Sequence, residues 1–200
     1  MIPRHLKIVI GILLAGIIVM AFYLWRMRGR DVDSENRVAE KAAVAPPVAG
    51  PTEQVTLYLA VDDPGILRAQ PARISLPGGR QQRAQELLRA VVSAYLQKNS
   101  QHPLAAGAEV RDVYIVDPGL AVIDLNAAFA DGHRSGVLVE ELSVASLVQT
   151  LSGNLPGINR VKILVDGKER PTLAGHADLS NAYDTASVSR MVEQLTTAQQ

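Results

Sequence analysis

An uninterrupted apolar run near the N terminus divides this chain into two parts that need different environments. Residues 8–25 contain no charged side chain. As a helix they would measure about 27 Å at roughly 1.5 Å per residue, which nearly matches the hydrocarbon core of a bilayer. Tyr23 and Trp25 stand at the end of the run, where aromatic rings favour the membrane interface. We therefore expect a single transmembrane helix over about residues 6–25, with the lipid bilayer as the partner of that segment.

A cleaved signal peptide is the alternative to a permanent anchor. Its apolar region is usually shorter, and small residues follow at the cleavage site. Here residues 26–30 read RMRGR instead. This pattern favours an uncleaved N-terminal anchor over residues 1–30.

The basic residues on the two sides of the run leave its orientation open. Arg4 and Lys7 precede it, whereas Arg26, Arg28 and Arg30 follow it. Counted this way, the positive-inside rule places the C-terminal part in the cytoplasm. A short N-terminal tail before a long domain instead commonly behaves as a signal anchor, which would place that part on the outer side.

Residues 31–54 read as a linker. They have no sustained apolar periodicity, and Pro46, Pro47, Gly50 and Pro51 interrupt any helix. Such a segment buries too little apolar surface to offset its ordering entropy. We expect a disordered, Pro/Ala-rich tether.

Residues 55–184 show strand and helix patterns in alternation and should form one domain. Strands are predicted over residues 55–61, 72–76, 109–116, 120–125 and 161–165 from runs of β-branched residues bounded by turn signals. A helix from Arg80 is indicated by an apolar stripe that ends at Tyr95, and a second helix by a broad apolar face over residues 136–152.

The stretch from residue 158 to 180 should close the sheet. It reads as an apolar strand, a two-residue turn at Asp166-Gly167, a return segment and a second bend at Ala174-Gly175. The order of elements is β-β-α-β-β-α-β-β. This order predicts an α+β two-layer sandwich, with two helices packed on one mixed, mostly antiparallel sheet. Residues 185–200 form a tail, in which residues 187–198 resemble a short amphipathic helix.

Composition excludes several classes of function. The formal net charge is zero, with 20 basic and 20 acidic side chains, so no overall field favours nucleic acid. The absence of cysteine excludes disulfides, thiolate nucleophiles and zinc–thiolate sites. The four histidines, at positions 5, 102, 133 and 176, form no pair with metal-ligand spacing. We predict no metal and no cofactor.

Three groups of residues could carry chemistry, but each has a structural explanation. His176 and Asp178 could be a base with its orienting carboxylate, yet no activated nucleophile accompanies them, so a turn is favoured. Asp62-Asp63 could begin a metal site, yet no acidic residue follows at EF-hand spacing, so a turn is again favoured. Asp124 is predicted to cap backbone donors at the end of its strand.

Glycines and arginines do not form a recognisable ligand site either. Gly78-Gly79 and Pro118-Gly119 read as turns, since neither lies in a phosphate-binding motif. The RQQRAQELLR helix lacks the aromatic residues and basic excess of a nucleic-acid surface. We therefore predict no catalytic, cofactor-binding or metal-binding residue and no enzyme.

Four segments in order resemble the GerMN domain, the module named for the sporulation and spore-germination protein GerM. They are VTLYLAVDD, GLAVIDLNAAF, LPGINRVKILVDGK and TLAGHADLS. The resemblance covers residues 55–183. It implies a bacterial envelope protein held in the cytoplasmic membrane with its domain on the extracytoplasmic side. Many relatives are lipoproteins or carry tandem copies, whereas this chain has no cysteine to lipidate and one copy.

The function expected from this resemblance is a non-catalytic, membrane-anchored interaction module of the cell envelope, in sporulation, germination or a general role. Its partners would be copies of itself, another envelope protein or peptidoglycan, bound through sheet edges and outer helix faces. A cell-wall hydrolase accessory or small-ligand-binding domain is the alternative. A cleft with convergent titratable groups would favour that alternative.

Overall fold

The computed structural model describes Met20, residues 50–116 and residues 118–197. Apart from Met20 and residues 50–54, the predicted anchor and linker lie outside these residues. Within the described part of the chain, no helix has both the length and the apolar character needed to cross a bilayer. Residues 49–200 form one compact unit, and the fold below is that of its described residues.

The domain begins with a strand hairpin and ends with a helix. In chain order its elements are β1 (Thr52–Val61), β2 (Ile66–Ser75), α1 (Arg80–Tyr95), β3 (Val110–Val116), β4 (Leu120–Leu125), α2 (Ala127–Asp131), α3 (Val137–Asn154), β5 (Arg160–Val165), β6 (Tyr183–Asp184) and α4 (Thr185–Thr197). The predicted order of strands and long helices is confirmed as far as β5, and the short helix α2 is an addition. The last predicted strand, the return arm after Asp166-Gly167, is wrong. β1 starts within the segment predicted to be linker.

The strands form two sheets, so the predicted single sheet is wrong. β1 and β2 pair antiparallel as a separate two-stranded sheet. The second sheet has the order β3-β4-β5-β6, with β4 and β5 parallel and the outer pairs antiparallel. The α+β class and the mixed pairing are confirmed.

A row of polar side chains on α3 explains why β1 joins no further strand. The backbone N–H groups of Thr56 and Tyr58 donate to Asn154 Oδ1 and Thr150 Oγ1, each at 3.0 Å. Asn154 Nδ2 donates to the Thr56 carbonyl at 2.7 Å, and Ser146 Oγ donates to the Tyr58 carbonyl at 2.5 Å. Residues 146, 150 and 154 follow each other at i+4 spacing on one helix face. This α3 polar stripe (Ser146, Thr150 and Asn154) therefore replaces a neighbouring strand.

The core lies between the helices and the inner face of the four-stranded sheet. The stripe predicted for α1 is confirmed, because its residues are all buried: Ala84, Leu87, Leu88, Val91, Val92 and Tyr95. On α3 the predicted apolar face starts too early. Val137 and Leu138 are 57% and 37% exposed, since the buried part of this helix begins at Glu140.

The stretch after β5 forms a turn and a loop instead of the predicted hairpin arm. Asp166 and Gly167 have φ angles of 50° and 71°, which is the positive φ pair of a tight hairpin turn. Only the bridge between Val165 and Lys168 continues the pairing beyond it. The antiparallel neighbour of β5 is β6, further along the chain. We call residues 168–182 the closing loop.

Candidate functional site

One buried carboxylate, that of Glu140 near the start of α3, holds the closing loop. Its side chain is 0% exposed. Oε2 accepts hydrogen bonds from the backbone N–H groups of Ala174, His176 and Ala177 at 2.9, 2.9 and 3.0 Å. Oε1 accepts one from the N–H of Gly136 at 3.2 Å and contacts His176 Nδ1 at 2.9 Å. These bonds fix the bend of the closing loop at residues 174–177 against the start of α3.

The same contacts determine the charge of Glu140. Burial by itself raises the pKa of this carboxyl, because it disfavours the charged form. The hydrogen bonds from the His176 ring and the loop amides outweigh burial and lower the pKa to about 2. Glu140 is therefore a carboxylate at neutral pH.

His176 lies on Glu140 with part of its ring in solvent. Its side chain is 42% exposed. Since a carboxylate only accepts hydrogen bonds, Nδ1 carries the proton of the neutral ring. Nε2 has no partner among the described residues. The carboxylate that orients His176 is thus Glu140, and Asp178 instead accepts a hydrogen bond from the N–H of Ser180 at 2.8 Å within the loop.

A groove of about 350 Å³ opens beside His176, between α3, the closing loop and α4. Its charged and polar lining contains acidic groups and no lysine or arginine. Burial raises the pKa of Tyr183 to about 12, with nearby carboxylates adding to the shift, so its phenol stays protonated. The lining residues are apolar Val144, Ala145, Ala177, Val188 and Met191, and polar Glu141, His176, Asp178, Tyr183, Asp184 and Ser187.

A second cavity, of about 430 Å³, lies between the β1–β2 hairpin and the end of α1. Arg68 is the one charged residue in its lining, and the phenol of Tyr95 there is already bonded to the Ala60 N–H and to Ser146. This cavity lacks converging titratable groups. The groove beside His176 is therefore the better candidate for a ligand.

A chain of buried polar groups lies on the other side of α3. His102 Nδ1 contacts Asp62 Oδ1 at 2.5 Å, and His102 Nε2 contacts Ser143 Oγ at 2.5 Å. His133 Nε2 contacts the same Ser143 Oγ at 2.6 Å, while its Nδ1 lies 2.7 Å from the carbonyl of Arg134. We call these groups the buried relay. Sequence spacing treats the two histidines as unrelated, whereas the fold brings them to one hydroxyl.

The order Asp62, His102, Ser143 has the members of a nucleophilic triad, but the hydroxyl is inaccessible. Ser143 is 0% exposed, and a second imidazole lies against its Oγ. Burial lowers the pKa of both His102 and His133, although the bond to Asp62 opposes this for His102. In this structure the relay is a buried hydrogen-bonded network and offers no nucleophile to a substrate.

The remaining candidates lie in turns and caps. Asp62 follows β1, and besides His102 it pairs with Arg134 at 2.9 Å. Asp124 accepts a hydrogen bond from the N–H of Gly167 at 2.7 Å, which is the capping role predicted for it. Gly119 has a φ of 76°, a value that favours glycine in a turn. Among the described residues, no group of three or more His, Cys, Asp or Glu could hold a metal ion.

Comparison with known proteins gives a family match and several structural matches. Residues 56–171 match the model of the Germane family, described as sporulation and spore germination. No protein of curated function matches the chain. The tandem GerMN domains of the Bacillus subtilis sporulation protein GerM match at 21% identity and a TM-score of 0.52, covering 68% of this chain and 48% of that one.

Two further structures match with lower TM-scores. The first GerMN domain of the same GerM protein has 22% identity and a TM-score of 0.48, covering 66% of this chain and 98% of that one. A candidate lipoprotein from Clostridium perfringens has 21% identity and a TM-score of 0.48, covering 74% of this chain and 96% of that one. At such identities structural likeness concerns the fold alone. The family match spans more than half of the sequence, and the chain therefore belongs to the Germane family of sporulation and spore germination domains.

Proposed function

We propose that this chain is a non-catalytic interaction module of the bacterial cell envelope. In this proposal the segment over residues 6–25 anchors it in the cytoplasmic membrane, and the Germane domain lies on the extracytoplasmic side. There the domain assembles with a second copy of the chain. The family match supports a role in the envelope, and one exposed surface of the domain carries the proposal of assembly.

That surface is the outer face of the four-stranded sheet. Tyr114 and Val116 of β3 are 45% and 46% exposed. They pair with Val122 and Leu120 of β4, whose side chains are half-buried on the same face. Leu164 of β5 lies on this face one pair further along, where its partner on β4 is Asp124. None of the five apolar side chains packs into the hydrophobic core. We call these residues the outer-face patch, and clustered exposed apolar side chains of this kind mark interaction surfaces.

A second copy fits the outer-face patch because its border carries both signs of charge. Arg111 and Arg160 are exposed there, and half-buried Asp112 lies on β3 two residues before Tyr114, on the same face. A border with both signs can complement itself across a two-fold axis. The edge of β2 is less suited to binding, because this strand carries Pro71 in mid-strand.

Because the chain has no cysteine, one introduced thiol tests this proposal at a chosen position. We expect Tyr114→Cys in the full-length protein to form a crosslinked dimer in native membranes with a short thiol-to-thiol reagent. Gln70→Cys, exposed on β2, is the matched control and should stay monomeric. Adding Val116→Lys to Tyr114→Cys should reduce the dimer at least tenfold.

Absence of the Tyr114→Cys dimer, or an equal dimer from the control, would overturn self-assembly. A crosslinked product of a different mass would show that the partner on this face is another protein and not a second copy. The control thiol of Gln70→Cys reports orientation, because it lies outside the proposed interface, and a membrane-impermeant maleimide should label it in intact spheroplasts. Labelling that requires lysis would contradict the extracytoplasmic placement.

The groove beside His176 favours a second candidate function, the binding of a small ligand. Its walls are apolar and its rim contains the carboxylates of Glu141, Asp178 and Asp184. This combination suits a ligand with an aliphatic body and an ammonium group. A hydrolase is less favoured, because the nearest hydroxyl to the imidazole, Ser135 Oγ, lies 3.3 Å from Nδ1, the nitrogen already bonded to Glu140.

Chain-length-matched probes test the groove. We expect n-hexylammonium at millimolar concentration to shift the ring signals of His176 in NMR spectra, whereas hexanoate of the same length should not. Replacing Glu141 and Asp184 with the neutral amides should weaken the effect of the ammonium probe severalfold. Equal shifts from both probes, or none from either, would remove the ligand-binding candidate.

A further inference from the structure

The buried relay contains four short contacts, and each requires one hydrogen between its two heavy atoms. The contacts join Asp62 to His102, His102 to Ser143, Ser143 to His133, and His133 to the Arg134 carbonyl. An ionised Asp62 supplies no hydrogen, the serine supplies one, and each neutral imidazole supplies one. These groups together provide three hydrogens for four contacts.

The missing hydrogen can be placed, because both ring orientations are fixed by acceptors. His102 Nδ1 faces a carboxylate and must donate to it. His133 Nδ1 faces a backbone carbonyl and must donate as well. In the neutral rings both Nε2 atoms are therefore unprotonated, and each directs a lone pair at Ser143 Oγ. The single hydroxyl hydrogen can serve only one of them, so the other contact needs a proton from solvent.

We propose that the buried relay is a proton-dependent latch on the segment between α2 and α3. Uptake of one proton, by either imidazole, completes the fourth contact and holds the segment as seen here. Loss of that proton leaves two lone pairs opposed at 2.5–2.6 Å, and one ring moves away from Ser143. The proton comes from water, and no covalent bond changes.

His133 is the ring that moves. His102 is 1% exposed, bonded to Asp62, and stacked edge-on against Tyr95 with a centroid distance of 4.7 Å. His133 is 8% exposed and lies in the short segment between α2 and α3, held at Nδ1 by a neighbouring carbonyl alone. Opening the latch therefore displaces residues 132–136. This segment reaches the groove, since Ser135 Oγ lies 3.3 Å from His176 Nδ1.

The groups that face the two rings determine when the proton enters. The carboxylates of Asp62 and Glu140 favour protonation of the imidazoles, whereas burial and the guanidinium of Arg134 oppose protonation. For His133 burial is the larger effect and lowers the pKa, which places uptake below the usual range of histidine. The latch therefore closes on acidification.

NMR of the full-length chain in detergent, with labelled histidine, tests the latch between pH 8 and pH 4.5. We expect one of the two relay rings to change from the neutral Nδ1–H tautomer to imidazolium. The backbone amide signals of residues 132–136 should follow the same titration curve. Two relay rings that stay neutral, with unchanged amide signals over this range, would overturn the proposal.

His133→Gln provides a variant that needs no extra proton. Its amide Nε2–H can donate to Ser143 Oγ at every pH, so the pH-dependent shift of residues 132–136 should disappear. His5→Gln removes a histidine outside the described residues and should leave that shift unchanged. Persistence of the shift in His133→Gln would contradict the latch, and the titration of the unmodified chain decides the matter if that variant does not fold.

Discussion

Replacing Glu140 with glutamine is expected to lower the free energy of unfolding by about 3 kcal/mol, since charge-assisted hydrogen bonds to a buried group contribute roughly 1.5–3 kcal/mol each and only part of them is lost. The carboxylate accepts from three loop amides through Oε2 alone. A glutamine side chain has one oxygen where the carboxylate has two. Its NH₂ group would therefore replace one accepting oxygen and face N–H donors that it cannot bind. The neighbouring Glu141 is exposed, and Glu141→Gln should change the free energy by less than about 0.5 kcal/mol.

The pH dependence of stability should identify the same residue. The folded-state pKa of Glu140 is about 2, below the ordinary glutamate pKa of 4.5. A carboxyl with a lowered pKa contributes stability above its unfolded pKa, and that contribution is lost as the pH falls from 4.5 towards 2. At about 1.4 kcal/mol per pKa unit the shift corresponds to roughly 3 kcal/mol. The unmodified chain and Glu141→Gln should lose this stability with acid, and Glu140→Gln should not.

Urea unfolding followed by circular dichroism measures these differences. The single tryptophan, Trp25, precedes the domain, so its fluorescence would not report on the fold. Equal stability of the Glu140→Gln and Glu141→Gln variants at neutral pH would show that the loop does not depend on the buried carboxylate.

The second large effect is expected from the α3 polar stripe. Thr150→Val keeps the shape of the side chain and leaves the N–H of Tyr58 without its acceptor. This substitution should lower the free energy of unfolding by about 1–3 kcal/mol. Asn154→Ala removes the acceptor of the Thr56 N–H and the donor to the Thr56 carbonyl. Because two partners are lost, it should lower the free energy of unfolding by about 2–4 kcal/mol. Thr197→Val, on the exposed end of α4, is the matched control and should change little.

Amide hydrogen exchange separates this local effect from a general loss of stability. The N–H groups of Thr56 and Tyr58 should exchange faster in the Thr150→Val and Asn154→Ala variants than in the control, relative to the amides of α1. If the β1 amides keep their protection in both variants, then water or another group satisfies them and the stripe does not replace a strand.

Local patterns predicted the elements whose periodicity is strong. The stripe on α1 and the β-branched runs of β4 and β5 follow from spacing alone, because each segment shows its buried face in its own sequence. β6 has two residues and therefore no period to detect. The division into two sheets was also missed, because Ser146 and Thr150 lie within an apolar pattern and their acceptor and donor roles depend on a distant strand.

The candidate site was less predictable for the same reason. His176 was identified as the residue of interest, but Asp178 was chosen as its carboxylate because it is near in sequence. Glu140 is 36 positions away and shares no local pattern with the loop. The two relay histidines likewise meet at Ser143 across separations of 41 and 10 residues. Contacts over such distances depend on the topology of the whole domain.

The α3 polar stripe also has a mechanical consequence. β1 is the first strand of the domain, so tension from the proposed membrane anchor would reach the fold through Gly50, Pro51 and the start of β1. Hydrogen bonds from Thr56 and Tyr58 join one edge of β1 to α3, and β2 pairs with the opposite edge of β1. A pull along the strand therefore loads these bonds together in shear, instead of opening them one after another. This arrangement suits a domain tethered at its N terminus and pulled by a partner at another surface.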